Sequence, residues 1–278
     1  MYIQWFPGHM TKSIRLMQQS LSGIDFVIYV VDSRAPQSCL NPVFDELFGD
    51  LPIVYVLNKA DLGDVNLSRK WCDLHTTTNS VAIQVNSLAS TQINVLATVI
   101  NKLCKVRLDK YASRGIRISL RGMVVGVPNV GKSTLINNIA RAKKTKTGDT
   151  PGVTRGKQWI KVDQYLDILD TPGTLYPKLN DQNVAVNLAI VGSISSQVVD
   201  MYELSLQLID KLQAISPNIL DNKYQCTTDM DGVRVLHQVA VKRAFVLKGG
   251  ELDIERAAVA LIQDFRQGRL GKITLDRF

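Results

Sequence analysis

The strongest constraint on the fold comes from residues 123–140, MVVGVPNVGKSTLINNIA. The segment begins as an apolar, β-branched run, which is typical of a buried strand, and it ends with the periodicity of a helix. Between them, GVPNVGKS (126–133) fits G-x-x-x-x-G-K-[ST], the pattern of a loop whose backbone N–H groups converge on phosphate oxygens. The start of the following helix adds a favourable dipole for an anion. The segment therefore predicts a phosphate-binding loop rather than a glycine-rich turn without a ligand.

This pattern assigns roles to individual side chains. Lys132 is expected to reach the β- and γ-phosphates of a nucleotide, and the Ser133 hydroxyl is expected to bind Mg²⁺. The predicted nucleotide contacts of the loop and the first helical turn are Asn129, Val130, Gly131, Lys132, Ser133 and Thr134.

The surrounding sequence alternates between apolar strands and amphipathic helices up to about residue 178. Besides the strand at 123, strands are predicted at 24–32, 52–61, 81–87, 159–162 and 165–173. Helices are predicted at 10–22, 41–50, around 66–78 and 91–112. This alternation indicates an α/β fold with a mostly parallel sheet.

The pattern changes after residue 178. Residues 184–194, 202–215, 233–245 and 254–268 all fit helical periods, and no comparable buried strand is predicted there. We therefore expect two domains, an α/β domain at 1–178 and a small all-helical domain at 179–278.

A second phosphate-related motif, DTPG (170–173), follows a predicted strand. Asp170 could hold Mg²⁺ through water, and the Gly173 N–H could meet the γ-phosphate. The polar, glycine-rich stretch TKTGDTPGVTRG (145–156) precedes it. Within that stretch Thr154 is the preferred second Mg²⁺ hydroxyl and Thr150 is the competing choice, although either threonine could be a simple turn residue.

NKAD (58–61) follows the apolar strand PIVYVL and predicts a guanine-binding loop. The Asp61 carboxylate would accept hydrogen bonds from N1 and N2 of guanine, a donor pair that adenine lacks. Asn58 would bond the other edge of the base and brace the loops, while the Lys59 stem would cover the ring. Ser87, in NSL (86–88), would approach guanine O6. The alternative for both segments is an ordinary turn after a strand.

Charge is concentrated in one part of the chain. The formal net charge is +8, from 33 Lys and Arg against 25 Asp and Glu. Residues 102–161 contain 15 basic and two acidic side chains, whereas residues 175–278 contain 12 of each sign. Such a basic stretch attracts polyanions, although it could also be a solvated face.

Composition excludes several other classes of protein. The chain is 45% hydrophobic and 21% charged, as in ordinary globular proteins. We expect no membrane span, because no apolar run approaches ~20 residues, and no secretory signal is visible. The four cysteines are scattered, so we expect reduced, mostly buried thiols in a cytoplasmic protein without structural zinc.

Taken together, these elements resemble those of the TRAFAC GTPases, with the guanine motifs placed before the phosphate motifs (order G4-G5-G1-G2-G3). The chain is similar to the circularly permuted YlqF/RbgA family of ribosome-biogenesis GTPases. The similar segments are WFPGHM (5–10), DSRAP (32–36), NKADL (58–62), GVPNVGKSTLIN (126–137), TGDTPGVTR (147–155), DTPG (170–173) and, less distinctively, 250–276. The permuted small-subunit family matches less well, because this chain lacks the signatures of its OB barrel and zinc module.

The resemblance implies a permuted Ras-like domain that hydrolyses GTP slowly alone and faster on the ribosome. It implies His9 as a catalytic residue beside Lys132, Thr154 and Gly173, since Thr174 stands where Ras-like enzymes carry glutamine. The alternative for His9 is a helix cap. Asn129 would coordinate K⁺, or would simply favour the turn. His75 and His237 are expected to be structural or solvent-facing.

The implied function is assembly of the large (50S) ribosomal subunit. Partners would be GTP, GDP, rRNA and ribosomal proteins, without DNA sequence specificity, and the protein is expected to be a monomer. The basic stretches 102–121 and 141–146 would contact rRNA phosphates. The alternatives are a GTPase acting on another target and a nucleotide-dependent RNA-binding scaffold without significant turnover.

Overall fold

The computed structural model describes residues 2–3, 8–89, 93–143, 158–175, 179–227 and 230–278. The chain divides into two compact units. The sheet unit comprises Phe6–Lys178 and Phe278, and the helical unit comprises Leu179–Arg277 together with Tyr2 and Ile3.

The described part of the sheet unit contains six strands and six helices. The strands are β1 (Phe26–Asp32), β2 (Ile53–Asn58), β3 (Ser80–Val85), β4 (Leu120–Val125), β5 (Gln158–Asp163) and β6 (Leu166–Asp170). The helices are α1 (Gly8–Ser20), α2 (Pro42–Phe48), α3 (Val65–Leu74), α4 (Ile93–Leu103), α5 (Lys105–Ala112) and α6 (Lys132–Lys143).

The strands form one sheet in the order β3-β2-β1-β4-β6-β5. All neighbours pair in parallel except β5, which runs antiparallel to β6. Every residue of β1 is buried, as expected for a central parallel strand that is covered on both faces. The predicted α/β class with a mostly parallel sheet is confirmed.

The carboxyl ends of five strands meet at one edge of this sheet. Register pairs Asp32 of β1 with Asn58 of β2, and Asn58 in turn with Val85 of β3. On the other side of β1, β4 ends at Val125 and the neighbouring β6 at Asp170. Loops that follow parallel strands at such an edge build the ligand sites of α/β proteins. The predicted guanine and phosphate motifs therefore all begin at the carboxyl edge of the sheet.

The single helix predicted at 91–112 is wrong. It is divided into α4 and α5 at Cys104, whose backbone angles (φ −90°, ψ 10°) turn the chain out of the helical geometry. The change of direction places α5 where Arg107 forms an ion pair with Asp25, at 2.6 Å. The sequence has helical periodicity on both sides of Cys104, so the break between the two helices could not be predicted from that pattern.

The helical unit contains five helices in its described residues. They are α7 (Gln182–Val191), α8 (Met201–Ile215), α9 (Ile219–Tyr224), α10 (Gly232–Lys242) and α11 (Ile254–Arg266). The short α9 was missing from the sequence prediction. Its six residues are too few for a periodicity to be recognised, and it packs against α8 and α10.

The start of the chain groups with the helical unit, although the predicted first domain began at residue 1. The backbone N–H of Ile3 donates to Gln182 Oε1 at 2.8 Å, and its carbonyl accepts from Gln182 Nε2 at 3.3 Å. The side chain of Ile3 is also buried. The link between residues 179 apart cannot be read from local sequence.

A buried carboxylate organises the charges of the helical unit. Asp264, in α11, is 1% exposed and accepts hydrogen bonds from Tyr224 and Arg243. Arg269 Nη1 lies 2.8 Å away and Lys223 Nζ lies 3.3 Å away. Burial acts to raise the pKa of Asp264, but these hydrogen bonds outweigh it and lower the pKa to about 2.

The cysteines fit the expectation of buried thiols. Cys39, Cys72, Cys104 and Cys226 are all buried, and burial raises the pKa of the last three to about 11. At neutral pH these three side chains are therefore protonated and unreactive. In the part of the chain that the structure describes, no helix combines the length and apolar character needed to cross a membrane.

Candidate functional site

The phosphate loop, residues 126–131, runs from β4 to the first residue of α6. Gly126 has a φ of 147°, and a Cβ there would lie 2.3 Å from the Val30 carbonyl oxygen on β1. Gly131 has a φ of 97°, and its Cβ would lie 2.4 Å from Asn58 Nδ2. Both positions therefore require glycine, because a side chain would push the loop away from the neighbouring strands.

Lys132 lies inside this loop. Its side chain is buried, and Nζ donates to the carbonyl oxygens of Gly126 at 3.0 Å and Val127 at 2.9 Å. Burial lowers the pKa of Lys132 to about 8, although attraction from Asp170 acts in the opposite direction. The amine is therefore largely charged at neutral pH and would be stabilised by an anionic ligand at the loop.

Two of the predicted Mg²⁺ ligands are adjacent. Ser133 is in the first turn of α6, and its Oγ lies 3.4 Å from Oδ2 of Asp170, a buried residue at the end of β6. A hydroxyl and a carboxylate are the oxygen donors that Mg²⁺ prefers, so this pair fits the ion. Thr154 and its competitor Thr150 lie outside the described residues.

The DTPG segment lies against the phosphate loop. A Cβ added to Gly173 would be 2.7 Å from Pro128 Cα and 3.1 Å from Lys132 Nζ, so a larger residue would collide with the loop. Thr171 Oγ1 donates to the Val124 carbonyl at 2.6 Å and fixes the segment to β4. The structure thus brings Gly173 next to Lys132, as the sequence motifs suggested.

Thr174 is buried, and its hydroxyl donates to the Pro172 carbonyl at 3.1 Å. It therefore points into its own loop, in the position where Ras-like enzymes carry glutamine. The next backbone N–H, of Leu175, donates to Met10 Sδ at 3.4 Å, which places the first turn of α1 beside this segment. His9 belongs to that turn, but the placement of its imidazole lies outside the described structure.

Asn58 joins three loops at the carboxyl edge. Its Nδ2 donates to the Val130 carbonyl at 2.7 Å, and its Oδ1 accepts from Ser87 N at 3.1 Å and Ser87 Oγ at 2.7 Å. These bonds join the loops that Asn58 is expected to brace, and its contact with the base stays a prediction. The Ser87 hydroxyl, expected to approach guanine, is instead directed at Asn58.

Lys59 connects the guanine loop to the phosphate loop. Its Nζ donates to the Asn129 carbonyl at 2.9 Å and to Asp32 Oδ2 at 2.8 Å. Lys59 and Asn129 both have positive φ angles, 56° and 62°, and the side chains of Asn129 and Asp61 are exposed. Thr134 is exposed in the first turn of α6.

The pair Asp32–Arg34 was missed as part of this site. Arg34 is 2% exposed, and its Nε and Nη2 donate to the two Asp32 carboxylate oxygens at 2.8 and 2.6 Å. Burial acts to raise the pKa of Asp32, but Arg34 and then Lys59 outweigh it and hold the pKa well below its usual range. Ser33 Oγ donates to the Lys59 carbonyl at 2.6 Å. DSRAP begins at the last residue of β1, just as NKAD begins at the last residue of β2. That shared position at the carboxyl edge of the sheet could have indicated that DSRAP belongs to the site.

The other two histidines lie away from these loops in the chain. His75 follows α3, and its ring stacks on Trp71 at a centroid distance of 3.9 Å. His237 is exposed on α10.

Comparisons with known proteins agree with this geometry. A family model described as "50S ribosome-binding GTPase" matches residues 121–237. The chain is 37% identical to Ribosome biogenesis GTPase A of Bacillus cereus, over 99% of this chain and 94% of that protein. It is 33% identical to Mitochondrial ribosome-associated GTPase 1 of Mus musculus, over 99% of this chain and 90% of that protein.

Solved structures show the same fold. GDP-bound YlqF matches with a TM-score of 0.67 at 24% identity, over 94% of this chain and 98% of that chain. GNP-bound YlqF from T. maritima matches with a TM-score of 0.66 at 24% identity, over 96% and 98%. With full-length relatives above 30% identity and GTPase motifs gathered at one sheet edge, the chain belongs to the Ribosome biogenesis GTPase A (YlqF/RbgA) family of GTPases.

Proposed function

We propose that this GTPase is an assembly factor for the large ribosomal subunit, which binds the pre-50S particle in its GTP state and leaves after hydrolysis. The observation that carries the proposal is the Asn58 network, which joins the guanine loop, the phosphate loop and Ser87 through bonds of 2.7–3.1 Å. Three loops braced in this way can hold a base and its phosphates in one fixed geometry. The names of the full-length relatives supply the ribosomal role.

Guanine selection is assigned to the loop after β2. Asp61 is exposed there and accepts from N1 and N2 of the base, while the Lys59 stem covers the ring. Lys59 reaches both Asp32 and the Asn129 carbonyl, so its position is fixed before a ligand arrives.

Phosphate binding is assigned to the loop before α6. The backbone N–H groups of residues 129–134 and the Lys132 ammonium bind phosphate oxygens, and the Gly173 N–H meets the γ-phosphate. Ser133, Asp170 and Thr154 would hold Mg²⁺, with Asp170 acting through water. When bound there, the ion would supply positive charge opposite the β- and γ-phosphates.

The attacking water needs a side chain other than Thr174, which is buried and engaged with Pro172. We assign this role to His9, whose helical turn contacts the DTPG segment through Met10 and Leu175. Asn129 is assigned to K⁺, whose charge would assist in place of an arginine. Its left-handed backbone, at a φ of 62°, leaves the side chain exposed at the loop.

In the proposal, residues 1–178 form the GTPase domain, apart from the start of the chain, which groups with the helical unit, and 179–278 form the domain that recognises the ribosomal particle. The protein acts as a cytoplasmic monomer on rRNA and ribosomal proteins. The DTPG segment continues directly toward Leu179, so a γ-phosphate-dependent rearrangement is passed along the chain to the helical domain.

The test measures multiple-turnover GTP hydrolysis with and without purified 50S subunits, and sedimentation of the GTP-loaded protein with pre-50S particles. We expect slow turnover alone, stimulation by 50S, and GTP-dependent co-sedimentation. Absence of binding in the GTP state would overturn the ribosomal role. GTP-dependent binding without turnover would favour a nucleotide-dependent scaffold instead.

A variant test addresses base selection. Asp61→Asn should lose its preference for GTP over xanthosine triphosphate, because the amide cannot accept both guanine protons. Nucleotide titrations measure this preference, and an unchanged preference for GTP would remove Asp61 from guanine selection. Asp64→Asn in the same loop region is the matched control.

A further inference from the structure

The basic stretch before β4 lies at the opposite end of that strand from the phosphate loop. Helix α5 and residues 113–119 lead into the first residue of β4, Leu120, while the phosphate loop follows its last residue, Val125. Phosphates of a bound nucleotide therefore do not account for the cations of this stretch, and another polyanion is needed.

Six exposed cations occur between α5 and the start of β4. They are Lys105, Arg107, Lys110, Arg114, Arg117 and Arg121. Lys105 forms an ion pair with Asp109 at 2.5 Å, and Arg107 pairs with Asp25 at 2.6 Å. These acids offset part of the charge, and the surface remains strongly basic.

Two cavities open on this surface, and both are lined by Ile118. The larger, of about 560 Å³, has apolar walls that include Leu108 and Ile116, with Arg117 and Tyr165 beside them. The smaller, of about 350 Å³, is lined by Tyr111, by Arg107 and Arg121, and by the Asp25 carboxylate that pairs with Arg107, so its cations outnumber its one acid. An apolar recess beside a cationic one suits a ligand with flat apolar faces and negative charges.

Two arginines of this surface lie beside aromatic rings. Trp159 is 41% exposed and Tyr165 is 44% exposed. The Arg121 guanidinium carbon lies 5.7 Å from the Trp159 ring centre, and that of Arg107 lies 5.8 Å from the Tyr111 ring centre. Exposed rings give stacking faces to unpaired bases, while neighbouring arginines bind the backbone.

We propose that this arginine–aromatic surface, formed by Arg107, Tyr111, Arg117, Arg121, Trp159 and Tyr165, binds an unpaired segment of RNA. The inference rests on the proposed function for the source of that RNA, the large-subunit particle. A base stacks on Trp159 and another on Tyr165, and the arginines contact the phosphates between them. Duplex RNA binds less well, because its base faces are already stacked.

The first test titrates the full-length protein with a single-stranded oligouridylate of about twelve nucleotides. Saturating GDP and Mg²⁺ keep the oligonucleotide out of the nucleotide site. Binding is followed by anisotropy of the labelled RNA and by tryptophan fluorescence. Of the two tryptophans among the described residues, Trp159 is exposed and Trp71 is fully buried, so we expect RNA to quench the fluorescence of Trp159 in the wild type.

Substitutions separate stacking from charge. Trp159→Phe should lose the quenching and keep its affinity within about twofold, because a ring remains. Trp159→Ala and Tyr165→Ala should each weaken binding about fivefold or more, as loss of one stacked base does. Arg117→Ala should lower the slope of log K against log salt by about 0.7, the contribution of one phosphate on a single strand.

Arg69→Ala, an exposed arginine on α3, is the matched control and should leave both affinity and slope unchanged. GDP affinity reports that each variant is folded. Wild-type RNA affinity in Trp159→Ala and Tyr165→Ala, or equal affinity for duplex, would overturn the proposal. Variants that lose 50S binding but keep oligonucleotide binding would point to a ribosomal protein and also overturn it. If 50S-stimulated hydrolysis persists in the wild type after such a result, the proposed function survives without this surface.

Discussion

Asp32 in the sheet unit and Asp264 in the helical unit are both buried carboxylates whose charge is balanced by neighbouring cations, but the two clusters have different consequences. Asp32 in the sheet unit is held by Arg34, which is itself buried, and by Lys59, which also reaches the phosphate loop. Asp264 in the helical unit is held by Lys223, Arg243 and Arg269, all partly exposed, and by Tyr224. The difference lies in what the partners contact next. The Asp32 cluster continues into the nucleotide loops, whereas the Asp264 cluster ties helices of its own unit together.

The largest expected effect is that of Asp32→Asn. The change leaves the Arg34 guanidinium buried without its counter-ion, which costs about 3–5 kcal/mol of unfolding free energy. GTP affinity should fall as well, because Lys59 loses one of its two anchors. Urea unfolding and GTP titration measure the two effects. A loss of stability without any loss of affinity would show that the cluster does not position the guanine loop.

A smaller loss is expected for Asp264→Asn. Its three cations can be rehydrated at the surface, so we expect about 2–3 kcal/mol in unfolding free energy. GTP affinity should stay within about twofold of the wild type. A clear drop in GTP affinity would contradict this difference between the two clusters, because it would show that the Asp264 cluster also supports the nucleotide site.

The pH dependence provides a control for that variant. The folded-state pKa of Asp264, about 2, lies below the value of about 3.9 for an unfolded aspartate. Its stabilisation is therefore present above about pH 4 and is lost as the pH falls toward 2. The stability difference between wild type and Asp264→Asn should shrink over that interval, and a constant difference would exclude the carboxylate charge as its cause.

The last prediction concerns pH and the buried cation of the sheet unit. Lys132 has a folded-state pKa of about 8, below the usual value of about 10.4, so the nucleotide-free protein should gain stability between pH 8 and 10. Phosphate binding needs the charged amine, and GTP affinity should therefore fall about fourfold between pH 7 and 8.5. Isothermal titration at both pH values, with thermal unfolding of the nucleotide-free protein, checks these opposite trends. GTP affinity that does not change with pH would show that the amine stays charged.

The sequence predicted what local patterns encode. The strand–loop–helix segment around Gly126–Ser133 and the alternation of strands and helices carry the fold class, which is confirmed. The hydrogen bonds within the site could not be predicted from local sequence, because Asp32 and Lys59 are 27 residues apart and Lys59 and Asn129 are 70 residues apart. Only strand order brings them together. The division of α4 from α5 depends on one residue, Cys104, whose sequence neighbours all favour helix.

Strand β4 has Arg121 near its start and enters the phosphate loop after Val125. It pairs with β6 over Leu120–Val124 and with β1 over Gly122–Val125, within a strand about 20 Å long. A strand paired on both sides cannot slide gradually, because a shift of one residue would break its hydrogen-bond register and exchange the side chains on its two faces. A pull at Arg121 therefore cannot be relayed to the phosphate loop as a graded displacement. RNA bound at that end would hold the protein on its particle. The loops at the other end of the strand could still open, close and exchange their nucleotide.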